Sequence, residues 1–237
     1  SSVSCGLSQV IDLIQGWSII STYIDPYDAN LESVFSSVIG NLEIVKDESG
    51  NVYWPLFSLN SIGDLTIGEG YQVKMDVFEQ ITVVGDLIPH DTPITFNQGW
   101  NLIGYLHQNP GDTEEIMNSI VDDLDPSLGP LIIVKNGEGD VYWPSFALNS
   151  IGDMIPGQGY QIKMENLTIF SYPPLAPRFG YDIKIKPIHF ITTTKTDQNM
   201  TVGLPMNTWI NTPNFGDEIG AFDSDGQLIG SAVYTNN

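Results

Sequence analysis

LIIVKNGEGDVYWPSFALNSIGDMIPGQGYQIKM, residues 131–164, decides the fold, because the chain has already spelled nearly the same thing: residues 42–75 read LEIVKDESGNVYWPLFSLNSIGDLTIGEGYQVKM. IVK, VYWP, LNSIGD and GYQ-x-KM recur at a constant offset of 89 residues. An offset kept over so many positions marks an internal duplication, so each copy should be one structural unit built the same way. Within the later copy, 131–135 reads as a strand, 136–140 as a Gly-rich turn and 141–143 as a second strand closed by Pro144, which together make a hairpin. A second turn follows at 149–153. Gly157-Gln-Gly then leads into Tyr160-Gln-Ile-Lys-Met, where Tyr160, Ile162 and Met164 share one face and Gln161 and Lys163 the other. A closing strand over 167–172 mirrors 81–84.

Upstream of each copy the duplication continues at a different offset. Residues 10–23 contain IDLIQGWSIISTY and residues 94–105 read ITFNQGWNLIGY, with Gly16-Trp17 and Gly99-Trp100 separated by 83 residues. Both read as two short strands around a glycine bend. Trp17 and Trp100 are expected to be buried equivalents, each costing about 3 to 5 kcal/mol on replacement by Ala. Leu31, Val34, Phe35 and Val38 fall at helical spacing behind Asn30. The counterpart helix begins at Asp112 in the N-cap position, with Glu115 three residues on as in a capping box. The offset grows from 82 at the helices to 89 at the strands, which places an insertion around 125–130 in an exposed loop.

Three domains result. Residues 9–88 form the first repeat module and 92–173 the second; the proline-dense 173–177 reads as a stiff linker. From 181 to 237 the pattern becomes alternating strands, including GDEIGAFDSDGQLIGSAVYT with Asp225-Gly226 at a hairpin turn. At about 57 residues this last segment is short for a sandwich of roughly 100 and reads as a partial β-sandwich. The fold class is mainly β, with α+β modules carrying one short helix each.

Composition narrows the function. Eight basic residues against 29 acidic ones give a formal charge of −21, a field that repels nucleic-acid phosphates and anionic lipid. No apolar run approaches the 18 to 20 or so residues that span a bilayer, and no signal peptide opens the chain, so Ser1 reads as a mature or trimmed start. The lone Cys5 allows no intramolecular disulfide. The polar, extended segment 1–10 is a candidate donor strand for a neighbouring copy of the chain.

Several constellations bear on chemistry. The turns at 47–51, 136–140 and 223–226 are rich in Asp, Asn and Glu and could offer oxygen to calcium, with Asp223 and Asp225 the best metal candidates. None has EF-hand spacing, and Asn, Asp and Gly are also what tight hairpins require. No cofactor other than calcium is implied. Tyr53-Trp54 and Tyr142-Trp143, each before a proline, are candidate ligand-binding platforms for sugar rings or a partner. Adjacent strand residues face opposite ways, so one aromatic of each pair belongs to the core, and core packing is the expectation for both tryptophans. His90, His107 and His189 lie in separate contexts and do not suggest a metal or triad site, and Ser4-Cys5-Gly6 lacks a supporting base. Lys46, Lys74, Lys135 and Lys163 are repeat-equivalent and are expected on strand faces beside local carboxylates.

The GW-x-L/I-I opening and the IVK…VYWP…GYQ-x-KM close resemble tandem modules of large secreted or surface-attached proteins of Bacteroidetes-type bacteria, over both repeats. GDEIGAFDSDGQLIG resembles a β-sandwich module that often follows them, before a type IX secretion sorting domain. The final strands of that sandwich, typically with a Trp-Gly-Asp motif, and the sorting domain are not in this sequence, which therefore reads as a fragment or a processed form. The resemblance brings no catalytic residues. It implies an extracellular or cell-surface, non-enzymatic modular protein with a structural, adhesive or filament-forming role. Its partners would be copies of itself, other surface proteins or glycans. The alternatives are a carbohydrate-binding module array and an accessory region of a larger secreted enzyme.

Overall fold

A computed structural model describes residues 6–122, 129–175 and 217–233. Among them the chain is mainly β, in antiparallel sheets. The described residues up to Leu175 form one compact unit and 217–233 belong to a second.

The first module begins with β1 (Leu7–Leu13), β2 (Gly16–Ile20) and β3 (Ile24–Pro26), followed by α1 (Leu31–Val34), β4 (Leu42–Lys46), β5 (Val52–Trp54), β6 (Leu59–Asn60), β7 (Tyr71–Met75) and β8 (Glu79–Leu87). The main sheet runs β2-β7-β4-β5-β6, and a second sheet runs β1-β8-β3. The second module repeats this with β9 (Ile94–Phe96), β10 (Gly99–Gly104), β11 (Gly111–Asp112), α2 (Thr113–Met117), β12 (Leu131–Lys135), β13 (Val141–Trp143), β14 (Leu148–Asn149), β15 (Asp153–Met154), β16 (Gly159–Met164) and β17 (Thr168–Phe170). Its main sheet is β10-β16-β12-β13-β14, strand for strand the order of the first, and its second sheet is the β17-β9 pair.

Each module is sandwich-like because alternation gives each sheet one apolar face. Tyr71, Val73 and Met75 of β7, with Val45 and Tyr53, pack on Ile11, Leu13, Ile81 and Val83 of the second sheet and on Leu31 and Phe35. Tyr160, Ile162 and Met164, with Val134 and Tyr142, pack the same way on Phe96, Phe170, Tyr172, Ile116 and Met117. Fully burying one such side chain contributes about 1.5 to 3 kcal/mol. Ile88 packs its side chain in the second core while its amide donates to the Tyr23 carbonyl at 3.0 Å.

Local chemistry follows the residues. Asn30 caps α1 by accepting from the Glu32 amide, and Asp112 caps α2 by accepting from the amides of Glu114 and Glu115. The hairpin turns at 47–51 and 136–140 close on Asx-type bonds: Asp47 accepts from the Asn51 amide at 2.7 Å, and Asn136 accepts from Glu138 at 3.0 Å and Asp140 at 2.8 Å. In the second unit β18 (Glu218–Phe222) and β19 (Leu228–Val233) form the hairpin expected around Asp225-Gly226. The rest of 181–237, the sandwich expected there, Cys5 and most of the insertion at 125–130 lie outside the described residues.

One expectation at the chain start is corrected. Residues 7–10 are not free to be donated to another copy, because β1 pairs with β8 of its own module along its whole length, from Leu7 opposite Gly85 to Leu13 opposite Glu79.

Candidate functional site

The two modules meet through their inner edges in a reciprocal contact. The Ser21 amide donates to the Gly157 carbonyl at 2.9 Å, and at the corresponding place in the other copy the Gly104 amide donates to Gly68 at 2.8 Å. Isolated bridges Ile20–Gln158 and Glu69–Ile103 are likewise each other's image. The geometry explains the G-x-G before each GYQ. A Cβ on Gly70 would lie 2.7 Å from the Ile103 carbonyl oxygen, and one on Gly159 would lie 2.7 Å from that of Ile20. Only glycine lets the backbones come this close. Gly68 and Gly157 also hold positive φ, 81° and 89°.

Just behind, the Tyr71 hydroxyl accepts from the Thr66 amide and donates to Glu69, and the Tyr160 hydroxyl accepts from Ile155 and donates to Gln158. Burial, followed by the charges of Asp47 and Glu48, raises the Glu69 pKa against the lowering hydrogen bond from Tyr71. Burial also pushes Tyr71 up to about 12.

The inner edges lock the modules together, and the face of each main sheet turned away from its core carries a distinct set of side chains. Residues opposed in register share a face. Trp17 opposes Lys74 and Gln72 opposes Lys46, while Lys46 opposes Val52; Trp100 opposes Lys163, Gln161 opposes Lys135, and Lys135 opposes Val141. Trp54 and Trp143 continue the same faces, because Tyr53 and Tyr142 beside them turn into the cores. Each outer face therefore carries Trp, Gln, Lys, Lys and Trp at positions identical in the two copies, beside one that differs, Ile19 opposite Gln72 and Leu102 opposite Gln161. The hairpin tips nearby have diverged, with Asp47, Glu48, Ser49 and Asn51 against Asn136, Gly137, Glu138 and Asp140.

On these faces the lysines lie over the tryptophans. Lys46 Nζ is 4.7 Å and Lys74 Nζ 6.0 Å from the Trp17 ring centre; Lys135 and Lys163 are 5.1 and 5.8 Å from that of Trp100. Such a contact contributes about 0.5 to 1 kcal/mol at an exposed site. Lys74 also pairs with Glu43 at 2.9 Å. No carboxylate stands within ion-pair distance of Lys46, Lys135 or Lys163 among the described residues, which corrects the expectation of local pairing for these three.

The tryptophans are corrected as well. Trp17 is half-buried and Trp100 is 46% exposed. The bend glycine opposes a core-facing methionine, Met75 or Met164, so the next residue falls on the outer face. Trp54 is 38% exposed and Trp143 half-buried, not core residues. Tyr53 and Tyr142, at 3% and 4% exposure, are the core members of their pairs and offer no ring to a ligand. Each outer Trp is braced edge-on by an aromatic two residues past the proline: Trp54–Phe57 and Trp143–Phe146 both lie 4.5 Å apart between centroids. The turns that place these phenylalanines end on left-handed residues other than glycine, Ser58 at φ 51° and Ala147 at φ 47°. Strain kept at the same place in both copies holds the aromatic pair in position.

The metal candidates sit in the second unit. Asp223 accepts from the amides of Asp225 at 3.0 Å and Gln227 at 2.8 Å, so one of its oxygens is engaged in shaping the hairpin. No group of three or more acidic, His or Cys side chains placed to hold an ion occurs among the described residues.

The histidines hold a feature that sequence reading missed. His90, from the connection between modules, stacks on His107 with centroids 4.7 Å apart. The His107 ring is buried against Tyr105 and Tyr172, and its Nε2 finds no hydrogen-bond partner among the described residues. Burial, then the neighbouring His90, lowers its pKa, against a raising hydrogen bond to the Pro173 backbone. His189 lies outside the described residues.

No family model, curated protein or solved structure matches this chain. None of the helices described is long and apolar enough to cross a membrane.

Proposed function

We propose that this chain is a non-enzymatic modular part of an extracellular or cell-surface protein with an adhesive or structural role, and that the outer sheet faces are its contact surfaces. One observation carries the reading. The two copies have diverged at their hairpin tips and kept the two tryptophans, the two lysines and the glutamine of the outer face. Core residues are retained for packing, but half-exposed tryptophans do not need to be. A face kept twice, and held in a fixed unit by glycine-mediated docking, suits two-point attachment, in which the second contact forms at high effective concentration. The strong negative charge keeps such a surface from collecting nucleic acid.

Antibody labelling of intact source cells, combined with deletion of the gene, tests this reading. Labelling without lysis and loss of attachment to surfaces or neighbouring cells are expected. Labelling only after lysis, or unchanged attachment on deletion, overturns it.

A further inference from the structure

The two outer faces differ in one respect that points to a ligand. In the first module Glu43 neutralises Lys74 at 2.9 Å. The second module has Ile132 at that position, and neither Lys135 nor Lys163 has a carboxylate within ion-pair distance among the described residues. Two uncompensated ammonium groups in a chain with 29 acidic residues, held between two partly exposed indoles, form a site of definite chemistry. We propose that the outer face of the second module binds uronic-acid residues of a glycan, with a pyranose ring stacked on Trp100 or Trp143 and its carboxylate held by Lys135 and Lys163. This deepens the adhesive reading and rests on it.

Each component asks for such a ligand. Lysine offers only donors and so selects acceptor oxygens, carboxylate above hydroxyl. Gln161, between the two lysines on this face, adds a donor and an acceptor suited to sugar hydroxyls. Indoles present flat apolar surface to the C–H face of a sugar ring, and Trp100 keeps nearly half its surface open. Trp100 on β10 and Trp143 on β13 are separated by β16 and β12. Three strand spacings of about 4.8 Å suit an extended chain better than a single compact anion. An acidic peptide would use the lysines and leave both indoles idle.

The net charge of −21 sharpens the choice. Repulsion reaches only about 8 Å at physiological salt, so it penalises densely charged polymers while contact between one carboxylate and two ammonium groups survives. A short uronate-bearing glycan, with no more than one carboxylate per sugar ring, fits both conditions.

Calorimetric titration of the full chain with trigalacturonate, neutral galactotriose and hexaglutamate tests the site. Trigalacturonate should bind at least about tenfold tighter than either other probe. K135Q/K163Q should lose that preference while keeping its unfolding midpoint, since glutamine holds the outer strand positions without charge. W100F should retain most of the affinity and W100A should lose about tenfold or more. K46Q/K74Q, in the first module where Glu43 already pairs with Lys74, should change little. Equal affinity for galactotriose, equal affinity for hexaglutamate, no detectable trigalacturonate binding, or a K135Q/K163Q protein that binds as wild type would each overturn the proposal. Surface labelling and loss of attachment on deletion, together with absent trigalacturonate binding, would overturn this ligand and leave the adhesive reading standing.

Discussion

In the first module Glu48 reaches from its hairpin tip to the Leu102 amide of the second, at 2.8 Å. In the second module the equivalent residue is Gly137, whose backbone comes close to Ile19 of the first: a Cβ there would lie 3.1 Å from the Ile19 amide nitrogen. One copy spans the contact with a charged side chain and the other with bare backbone. The same asymmetry recurs at Glu69 against Gln158, and where the 83-residue offset puts His107 opposite Ile24. The docking glycines and the outer tryptophans and lysines have not drifted. Duplication thus separates what every copy needs, a core, a docking edge and an outer face, from what only one member of a locked pair needs.

The docking edge should carry the largest single-residue effects. G70A and G159A each force a Cβ onto a partner backbone oxygen and should destabilise the protein by about 2 to 3 kcal/mol, by nearly equal amounts, in chemical denaturation. If the contact is a true reciprocal pair, both variants should also split one unfolding transition into two. A cost under about 0.5 kcal/mol at either glycine would break the equivalence.

Next in size are W17A and W100A. Partial exposure brings their cost down to about 1 to 2 kcal/mol, from residual burial and the lysine contacts, with Trp17 the more costly because it is the less exposed. A loss of 3 kcal/mol or more would restore the core assignment that sequence reading gave them.

E48A, which makes the first tip resemble the second, should cost about 1 kcal/mol by removing a hydrogen bond from a charged acceptor across the modules. Unchanged stability would show that Gly137 and Glu48 serve the interface equally well.

The smallest effect is a trend with pH. Folding lowers the His107 pKa from its ordinary 6.5. Its contribution is therefore fully present above that value and is lost as pH falls through it toward the depressed folded value, because the unfolded chain binds the proton first. H107I, which copies Ile24 of the first module, should match wild type near pH 7.5 and outlast it in thermal unfolding below about pH 6.5. Parallel curves for the two proteins across that range would exclude the histidine as their difference.

Much of this was legible in the residues themselves. The offsets of 83 and 89 aligned the two copies, Asn30 and Asp112 announced the helix caps, and the alternation of Tyr160, Ile162 and Met164 gave the core face. Alternation within one strand cannot say which residue of a neighbour it will oppose. Trp17 and Trp100 were therefore assigned to the core, although their places beside Lys74 and Lys163 put them outside. The G-x-G motifs gave no sign of docking, because a close approach to another module leaves no mark beyond the glycine itself. His90 and His107 stood in unrelated contexts until the chain folded them face to face.

Attachment measured on cells carrying W17A/W54A, W100A/W143A or all four substitutions tests most directly whether the duplicated outer faces are the working surfaces. With each variant confirmed as folded and displayed, either double variant should weaken attachment by about tenfold or more through loss of two-point contact, and the fourfold variant should abolish it. A folded, displayed fourfold variant that attaches as wild type does would contradict the claim.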